Sequence, residues 1–229
     1  MSAVAPIGAE TRNGPRSRKG VQTRARLLDA AKEIFEENGF LEARISDIAK
    51  RAGLSHGSFY HYFDSKEQIF REVAEVLDDR LAEPMESVVL LPDADADPRT
   101  RLLTALQRHL ESYRDEARIM GVIEQVARYD EHVSAVRFAR TKRHREAIAH
   151  SIRTMQRHGT ADPTLDPVIA AAALGAMTER FAEMWLVQGF LECDLDDAAE
   201  TLAALIVNGL KMTADKRESR RRRRPVRAT

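Results

Sequence analysis

The stretch that decides the fold spans residues 39–70 and reads GFLEARISDIAKRAGLSHGSFYHYFDSKEQIF. Its apolar residues recur at helical spacing, and Gly53 separates two short segments that we expect to be helices, residues 45–52 and 56–62. Ser55 supplies an N-cap oxygen for the second segment. Two short helices joined by a glycine turn have the dimensions of a helix-turn-helix.

Longer helices are predicted on either side of this stretch. The upstream helix begins at about Val21 and ends at Asn38 and Gly39, where a glycine suits the left-handed conformation that commonly follows a helix. Its apolar stripe consists of Leu27, Leu28, Ala31, Ile34 and Phe35. Downstream, Ser65 and Gln68 form a capping box that opens a fourth helix. The N-terminal part of the chain is therefore expected to be a helical domain that contains the helix-turn-helix.

The second short helix is rich in polar and aromatic side chains. They are His56, Ser58, Tyr60, His61 and Tyr62. A recognition helix presents donors at its exposed N-terminal end to base edges in the major groove, while its apolar residues seat it on the first helix. Phe59 and Phe63 suit the seating role, so the helix has the composition that DNA recognition needs.

Residues 39–70 closely resemble the N-terminal DNA-binding domain of the TetR family of bacterial transcriptional repressors. The family pattern reads approximately G-(Y/F)-x-x-(T)-(T)-(V/I)-x-D-I-A-x-x-A-G-(V/L)-S-x-G-(T/S)-(L/F)-Y-x-(Y/H)-F-x-(S/N)-K-E-x-(L/I), and apart from the positions marked (T) the chain follows it in order and without gaps. The match extends back to about Val21 and covers roughly a quarter of the chain. The remainder is similar to the family only in its length and helical character.

The resemblance implies that the protein is a ligand-responsive repressor. It is then expected not to be an enzyme and to need no cofactor. Such a protein binds a palindromic double-stranded DNA operator as a homodimer. A ligand in the C-terminal domain releases the DNA by moving helix four, which changes the spacing of the two recognition helices. The alternative is a helix-turn-helix interaction module that binds protein partners without an effector.

The resemblance also implies DNA-binding roles for particular residues. Those expected to face the operator are Ser55, His56, Gly57, Ser58, Tyr60 and His61. Tyr60 and His61 are commonly near phosphates, and His56 and Ser58 are nearer base edges. Lys66, at the start of helix four, is similar to the family's phosphate-contacting lysine.

Arg44 and Ser46 depart from the family pattern, because they stand where the family usually has Thr and then a variable residue. The family's Thr caps helix two and contacts a phosphate through its hydroxyl. We expect Arg44 to replace the phosphate contact with a charge-assisted hydrogen bond. Ser46 is then left to cap helix two, farther along the chain.

The whole chain is expected to be all-α, with about nine helices and no strand of alternating pattern. We divide it into a disordered basic arm (1–20), a three-helix DNA-binding domain (21–66), an effector-binding and dimerisation domain (67–213) and a disordered Arg-rich tail (214–229). Asp97-Pro98 and Asp166-Pro167 are N-cap and N1 pairs that each begin a helix.

The formal net charge of zero conceals a strong asymmetry along the chain. Residues 1–66 carry a net +3, residues 67–210 a net −10 and residues 211–229 a net +7. A polyanion is attracted to the basic ends, which favours nucleic acid as a partner. The Arg-rich tail serves either solubility or nonspecific electrostatic tethering to DNA.

Several other classes of protein are disfavoured. Cys193 is the only cysteine, so no internal disulfide can form, and no apolar run reaches the roughly 20 residues of a membrane span, so we expect a cytoplasmic protein without a membrane partner. Residues 53–57 match the G-x-S-x-G of α/β-hydrolases, but that motif needs a preceding strand. His144 and His150 fall on different sides of a helix, so we predict no metal site.

The expected dimer interface lies on the last two helices. Residues 168–188 are apolar nearly all around, and such a helix must be buried on two sides, by its own domain and by a partner subunit. The alternative is a helix at the centre of a monomeric bundle. The interface face of the last helix is predicted to be Leu202, Leu205, Ile206, Gly209 and Leu210.

Large apolar residues predict a central effector pocket. They are Tyr113, Met120, Ile123, Phe138, Met177, Phe181, Met184 and Trp185. Met and aromatic side chains suit adaptable cavities, so the effector is expected to be mainly apolar, such as a fatty acyl, steroid-like or polyaromatic molecule. The alternative for these residues is plain core. Basic residues between 137 and 145 form either a solvated face or a contact to an anionic group of the effector.

Overall fold

The computed structural model describes residues 17–90 and 98–213, apart from the side chains of residues 78, 82–90, 98 and 140, and every regular element in these residues is helical. The elements are α1 (Arg18–Glu42), α2 (Ile45–Arg51), α3 (His56–Phe59), α4 (Lys66–Leu90), α5 (Pro98–Asp115), α6 (Ala117–Ala127), α7 (Glu131–His158), α8 (Pro167–Ala182), a π-helical turn (Glu183–Val187) and α9 (Leu195–Gly209). The all-α prediction is confirmed. The predicted Arg-rich tail and residues 1–16 of the predicted arm lie outside the described residues.

The first helix begins earlier than the sequence suggested. The Ser17 side chain accepts a hydrogen bond from the Gly20 N–H at 3.1 Å, so α1 starts at Arg18 and Gly20 is buried. The expectation of disorder through residue 20 is therefore wrong for these last residues, because an N-cap serine was overlooked. Gly39, with φ 70° and ψ 173°, interrupts α1 where a helix end was predicted.

The chain forms two compact units that divide between Val73 and Ala74, inside α4. The first turns of α4 belong to the N-terminal unit because their apolar side chains complete its core. The Phe70 ring stands edge-on to Phe35 with 4.9 Å between centroids, and it lies 4.8 Å from Phe40. The predicted boundary at residue 66 thus falls about two turns too early.

In the C-terminal unit, α5 packs against α9, α7 packs against α8, and α6 contacts both α7 and the π-helical turn. The Asp166 carboxylate accepts from the Val168 and Ile169 N–H groups at 2.8 and 2.9 Å, which confirms the predicted cap of α8. Asp130 caps α7 in the same way. These caps fix where the long helices of the unit begin.

The predicted dimer face of α9 needs a correction. Leu202, Ile206 and Leu210 are buried within the chain itself, on the helix that packs against α5. Leu205 is 52% exposed and Gly209 is also exposed. Because the apolar residues of α9 cover more than one face, the sequence pattern merged the core face with the outward one.

The end of α9 is joined to the turn that follows α7. The Asp162 N–H donates to the Leu210 carbonyl at 2.8 Å, and the Lys211 ammonium lies 2.6 Å from the Asp162 carboxylate. The Lys211 ammonium, with help from the Thr164 hydroxyl and N–H, holds the pKa of Asp162 well below its usual range. The carboxylate therefore stabilises this junction in its charged form.

Candidate nucleic-acid interface and effector region

The turn between α2 and α3 is a Schellman motif. The Leu54 N–H donates to the Ala49 carbonyl at 2.8 Å, and the Gly53 N–H donates to the Lys50 carbonyl at 3.0 Å. Gly53 has φ +69°, a backbone conformation that residues other than glycine adopt only at a cost in free energy. The glycine predicted to break the chain therefore sets the angle at which α3 leaves α2.

Ser55 begins α3 as the predicted N-cap. Its Oγ accepts from the Ser58 N–H at 3.2 Å and lies 2.7 Å from the Ser58 Oγ. The two hydroxyls that were expected at the operator thus hydrogen-bond each other in the free protein. Ser55 fixes the start of the helix, and Ser58 is left half-exposed beside it.

The outer face of α3 and of the turn after it carries polar and aromatic side chains. His56, Gly57, Tyr60 and His61 are all exposed, whereas Phe59 beneath them is fully buried. The Tyr60 ring lies edge-on between His56 and Phe59, with centroids 5.4 and 5.5 Å away. Tyr60 is therefore held in place by packing while 48% of it stays exposed.

Arg44 and Ser46 lie at the start of α2. Arg44 is the N-cap residue by backbone position, its side chain forms no cap hydrogen bond, and it is exposed. The Ser46 hydroxyl lies 3.5 Å from the neighbouring Asp47 carboxylate. The expectation that Ser46 caps α2 is wrong, since its hydroxyl approaches the adjacent Asp47 side chain and accepts no hydrogen bond from an N–H in the first turn of the helix.

Lys66 has a different environment from the one expected. Its ammonium donates to the carbonyls of Phe40, Leu41 and Ala43 at 2.7, 3.0 and 3.0 Å, and it lies 4.7 Å from the centroid of the Phe40 ring. An ammonium has three donors, and all three are used here. In this arrangement the hydrogen bonds of Lys66 are made within the protein, and its contact with a phosphate stays a prediction.

Two arginines that were not among the predicted site residues hold the N-terminal unit together. The Arg24 guanidinium pairs with the Glu72 carboxylate through both of its terminal nitrogens and lies 4.7 Å from the centroid of the Phe63 ring. Arg51, on α2, pairs with Glu33 and Glu37 of α1 at 2.7 and 2.8 Å, which raises the pKa of Arg51. The Glu33 and Glu37 spacing of one helical turn is the sequence signal for the second pair.

The residues predicted to line an effector pocket fall into three groups. Tyr113, Met120 and Ile123 are buried, and Phe138 is 66% exposed. The half-buried remainder consists of Met177, Phe181, Met184 and Trp185. Phe138 is thus a correction: its ring lies on the outside of α7, with the Arg145 guanidinium 6.0 Å from its centroid. Charged residues are spread along most of α7, so its sequence did not indicate which side of the helix is buried against the rest of the unit.

Met184 and Trp185 lie in the π-helical turn that follows α8. The Gln188 N–H donates to the Glu183 carbonyl at 3.0 Å, five residues back, where the sequence predicted a continuous α-helix. The wider turn rotates Met184 and Trp185 relative to α-helical spacing, and the Trp185 ring lies 5.8 Å from that of Phe181. π-Helical turns inside α-helices occur frequently at functional sites.

The environment of Tyr113 contains more charge than the sequence suggested. Burial raises the pKa of Tyr113, Glu124 and Glu183 add to the rise, and Arg137 opposes it. The Arg137 guanidinium lies 2.5 Å from the Glu124 carboxylate, and both side chains are about three-quarters buried. The region therefore combines apolar and aromatic side chains with a partly buried ion pair.

The alternative chemistries find no support in the described residues. Ser55 of the G-x-S-x-G match follows a helix and caps the next one, which is not the strand-to-helix turn of a hydrolase. Within residues 17–90 and 98–213, no three His, Cys, Asp or Glu side chains are grouped to hold a metal ion. In the same part of the chain, no helix has the length and apolar character needed to cross a membrane.

Comparison with known proteins places this geometry in a family. Residues 27–73 match the family described as bacterial regulatory proteins, tetR family. YdgC of Bacillus subtilis (strain 168), named an uncharacterized HTH-type transcriptional regulator, is 31% identical over 194 residues, which are 83% of this chain and 91% of that protein.

Solved structures have the same fold. A TetR-family regulator from Mesorhizobium loti MAFF303099 superposes with a TM-score of 0.71 at 19% identity, covering 85% of this chain and 98% of that one. The regulator FadR from Bacillus subtilis, solved in complex with stearoyl-CoA, has a TM-score of 0.66 at 21% identity, over 81% of this chain and 98% of that one. These relatives are transcriptional regulators and not enzymes. The chain therefore belongs to the TetR family of bacterial regulatory proteins and is a DNA-binding transcriptional regulator.

Proposed function

We propose that this regulator is a repressor that binds a two-fold symmetric operator as a homodimer and leaves it when a small, mainly apolar effector binds. The observation that carries the proposal is the exposed face of α3. His56 is exposed on α3, Tyr60 and His61 are exposed in the turn after it, and the buried Phe59 and Phe63 seat this segment on the rest of the unit. This is the arrangement that major-groove recognition requires.

The DNA contacts divide by position on this face. His56, Gly57 and Ser58 lie in the first turn of α3, where a recognition helix reaches base edges. Tyr60 and His61 follow at its end and are assigned to phosphates, which position the helix without reading sequence. The remaining contacts are Ser55, the cap of α3, and the start of α2, where Arg44 supplies an exposed charge beside Ser46.

Homodimerisation is supported by apolar surface that the single chain leaves uncovered. Ile169 is 71% exposed on α8 and Leu205 is 52% exposed on α9. Residues 167–178 and 201–210 contain no charged side chain, although 31% of the whole chain is charged. Exposed apolar surface without charge is typical of a subunit interface. The interface is thus assigned to the outward residues of α8 and α9, including Gly209 and excluding the buried Leu202, Ile206 and Leu210.

The effector is assigned to the surroundings of Tyr113 in the C-terminal unit. The buried Met120 and Ile123 and the Phe181–Trp185 pair favour an apolar body, and Tyr113 itself adds an aromatic ring with a hydroxyl. The Arg137–Glu124 pair supplies a polar group to one part of the ligand. That FadR of Bacillus subtilis was solved with stearoyl-CoA agrees with an effector that joins an apolar chain to a polar end.

Release of DNA is assigned to α4, which runs from the DNA-binding unit into the C-terminal unit. An effector that displaces the C-terminal part of this helix moves its N-terminal turns as well. In a dimer, such a movement changes the distance between two recognition helices, which must match one helical turn of DNA. The protein would act in the cytoplasm, where bacterial operators are.

The test is selection of binding sites from random duplex DNA by the purified full-length protein. We expect a two-fold symmetric consensus. His56→Ala should lose about 1–3 kcal/mol of discrimination at particular base pairs, while His132→Ala, an exposed histidine on α7, should bind as the wild type does. Retention of no duplex by the folded protein would favour the interaction module that binds protein partners.

A further inference from the structure

We propose that Lys66 is a positioning residue of the DNA-binding unit. It holds the turn between α1 and α2, and through that turn the start of α2, in the arrangement that binds DNA. The proposal rests on the function proposed above only in treating Arg44 as a DNA contact.

The carbonyls that Lys66 binds belong to a segment where the chain leaves helical geometry. Gly39 has a positive φ of 70° with ψ 173°, and Ala43 is extended with φ −63° and ψ 133°. In the described residues, no backbone N–H is paired with the carbonyls of Phe40, Leu41 and Ala43. The hydrogen bonds to the Phe40 and Ala43 carbonyls are partly buried, and an unsatisfied carbonyl in such a position costs free energy, so this segment needs a donor from elsewhere.

Lys66 supplies that donor at hydrogen-bond distances of 2.7 to 3.0 Å. The three carbonyls converge on one nitrogen, a geometry that an ammonium satisfies because its three N–H groups point in different directions. The Phe40 ring, which packs on Phe70 in the core, covers the ammonium at 4.7 Å. A planar guanidinium has a fixed fork and does not reproduce three convergent bonds.

Electrostatics favour the same arrangement. Lys66 is the first residue of α4, where the positive end of the helix dipole disfavours a cation. The C-terminal end of a helix, with its unpaired carbonyls, is a negative site. The Lys66 ammonium reaches such a site by turning away from its own helix towards the C-terminal end of α1. Lys66 thereby links α4 to α1 and α2.

The start of α4 does not depend on Lys66. The Gln68 N–H donates to the Ser65 hydroxyl at 3.1 Å, and the Gln68 side chain accepts from the Asp64 N–H. Loss of the ammonium therefore affects mainly the turn that it binds. Ala43 immediately precedes Arg44, which begins α2, so release of the Ala43 carbonyl frees the backbone that orients the Arg44 side chain.

The test uses Lys66→Met and Lys66→Arg, with Lys142→Met, an exposed lysine of α7, as the control for loss of one charge. Affinity for a selected operator is measured over a range of salt concentrations, at a temperature where circular dichroism shows each variant folded. Amide hydrogen exchange of residues 40–48 is measured without DNA. We expect both Lys66 variants to bind about tenfold or more weakly with an unchanged salt slope, and to exchange faster at residues 40–48. The control should match the wild type in both measurements.

A phosphate contact gives the opposite pattern. Lys66→Met would then lower the slope of log affinity against log salt by about one, and Lys66→Arg would bind nearly as the wild type does. That result, or unchanged exchange at residues 40–48, would overturn the proposal. Because exchange is measured without DNA, failure to select any operator refutes the proposed function while the positioning of the turn is still tested.

Discussion

Replacing Phe70 by Ala should destabilise the DNA-binding unit selectively, because this side chain lies on α4 but belongs to the core of that unit. Phe70 is 1% exposed, and its ring packs on Phe35 and Phe40 at centroid distances of 4.9 and 4.8 Å. Truncation of a buried Phe to Ala costs about 3–5 kcal/mol. Since the substitution also removes the edge-on packing of the ring on two aromatic neighbours, we expect about 4 kcal/mol, a large part of the 5–15 kcal/mol that stabilises a typical domain.

The matched control is Leu81→Ala on the same helix. Leu81 is also 1% exposed, but it follows the division between the two units at Val73 and Ala74. Amide hydrogen exchange of the full chain should show reduced protection in α1 for the Phe70 variant and in α5 for the Leu81 variant. Equally reduced protection in both helices for both variants would refute the division inside α4, and a destabilisation below about 1 kcal/mol would refute the buried position of Phe70.

Leu205→Glu should convert the dimer to monomers without unfolding the chain, because it places a charge on exposed apolar surface. Light scattering that still gives a dimer would exclude this face of α9 from the interface. Asp162 has a depressed pKa in the folded protein, so its contribution to stability is present at neutral pH and is lost as the pH falls below about 4. Urea unfolding of Asp162→Asn should accordingly change less between pH 7 and pH 3 than that of the wild type, and equal changes would argue against the charged junction. An apolar ligand that releases DNA should also change the fluorescence of Trp185, and Phe181→Ala should raise the concentration needed; release by small polar metabolites alone, with Trp185 silent, would contradict the apolar effector.

The features that the sequence predicted correctly depend on short stretches of chain. Gly53 and Ser55 specify the turn and the cap of α3 within a few residues, and Asp166 does the same for α8. Each is a local choice in which the side chain or the backbone conformation is decided by its nearest neighbours. The pattern of residues 39–70 is of the same kind, and the match to the tetR family at residues 27–73 follows from it.

The features that could not be predicted from the sequence depend on contacts between distant segments. Whether Lys66 binds a phosphate or the carbonyls of the α1–α2 turn depends on Gly39, 27 positions earlier, which ends the helical hydrogen bonding there. Leu202 and Leu205 are equally apolar, and only the packing of α9 against α5 decides which is buried. Hydrophobic periodicity shows that a face is covered but not by what.

The central claim, a homodimer that reads a two-fold symmetric operator through α3, is tested most directly by the stoichiometry and half-site dependence of DNA binding. Analytical ultracentrifugation of the full-length protein with a selected duplex should give two chains for each half-site pair, and scrambling one half-site should remove most of the affinity. A complex of one chain per duplex, bound equally well when either half-site is scrambled, would contradict it.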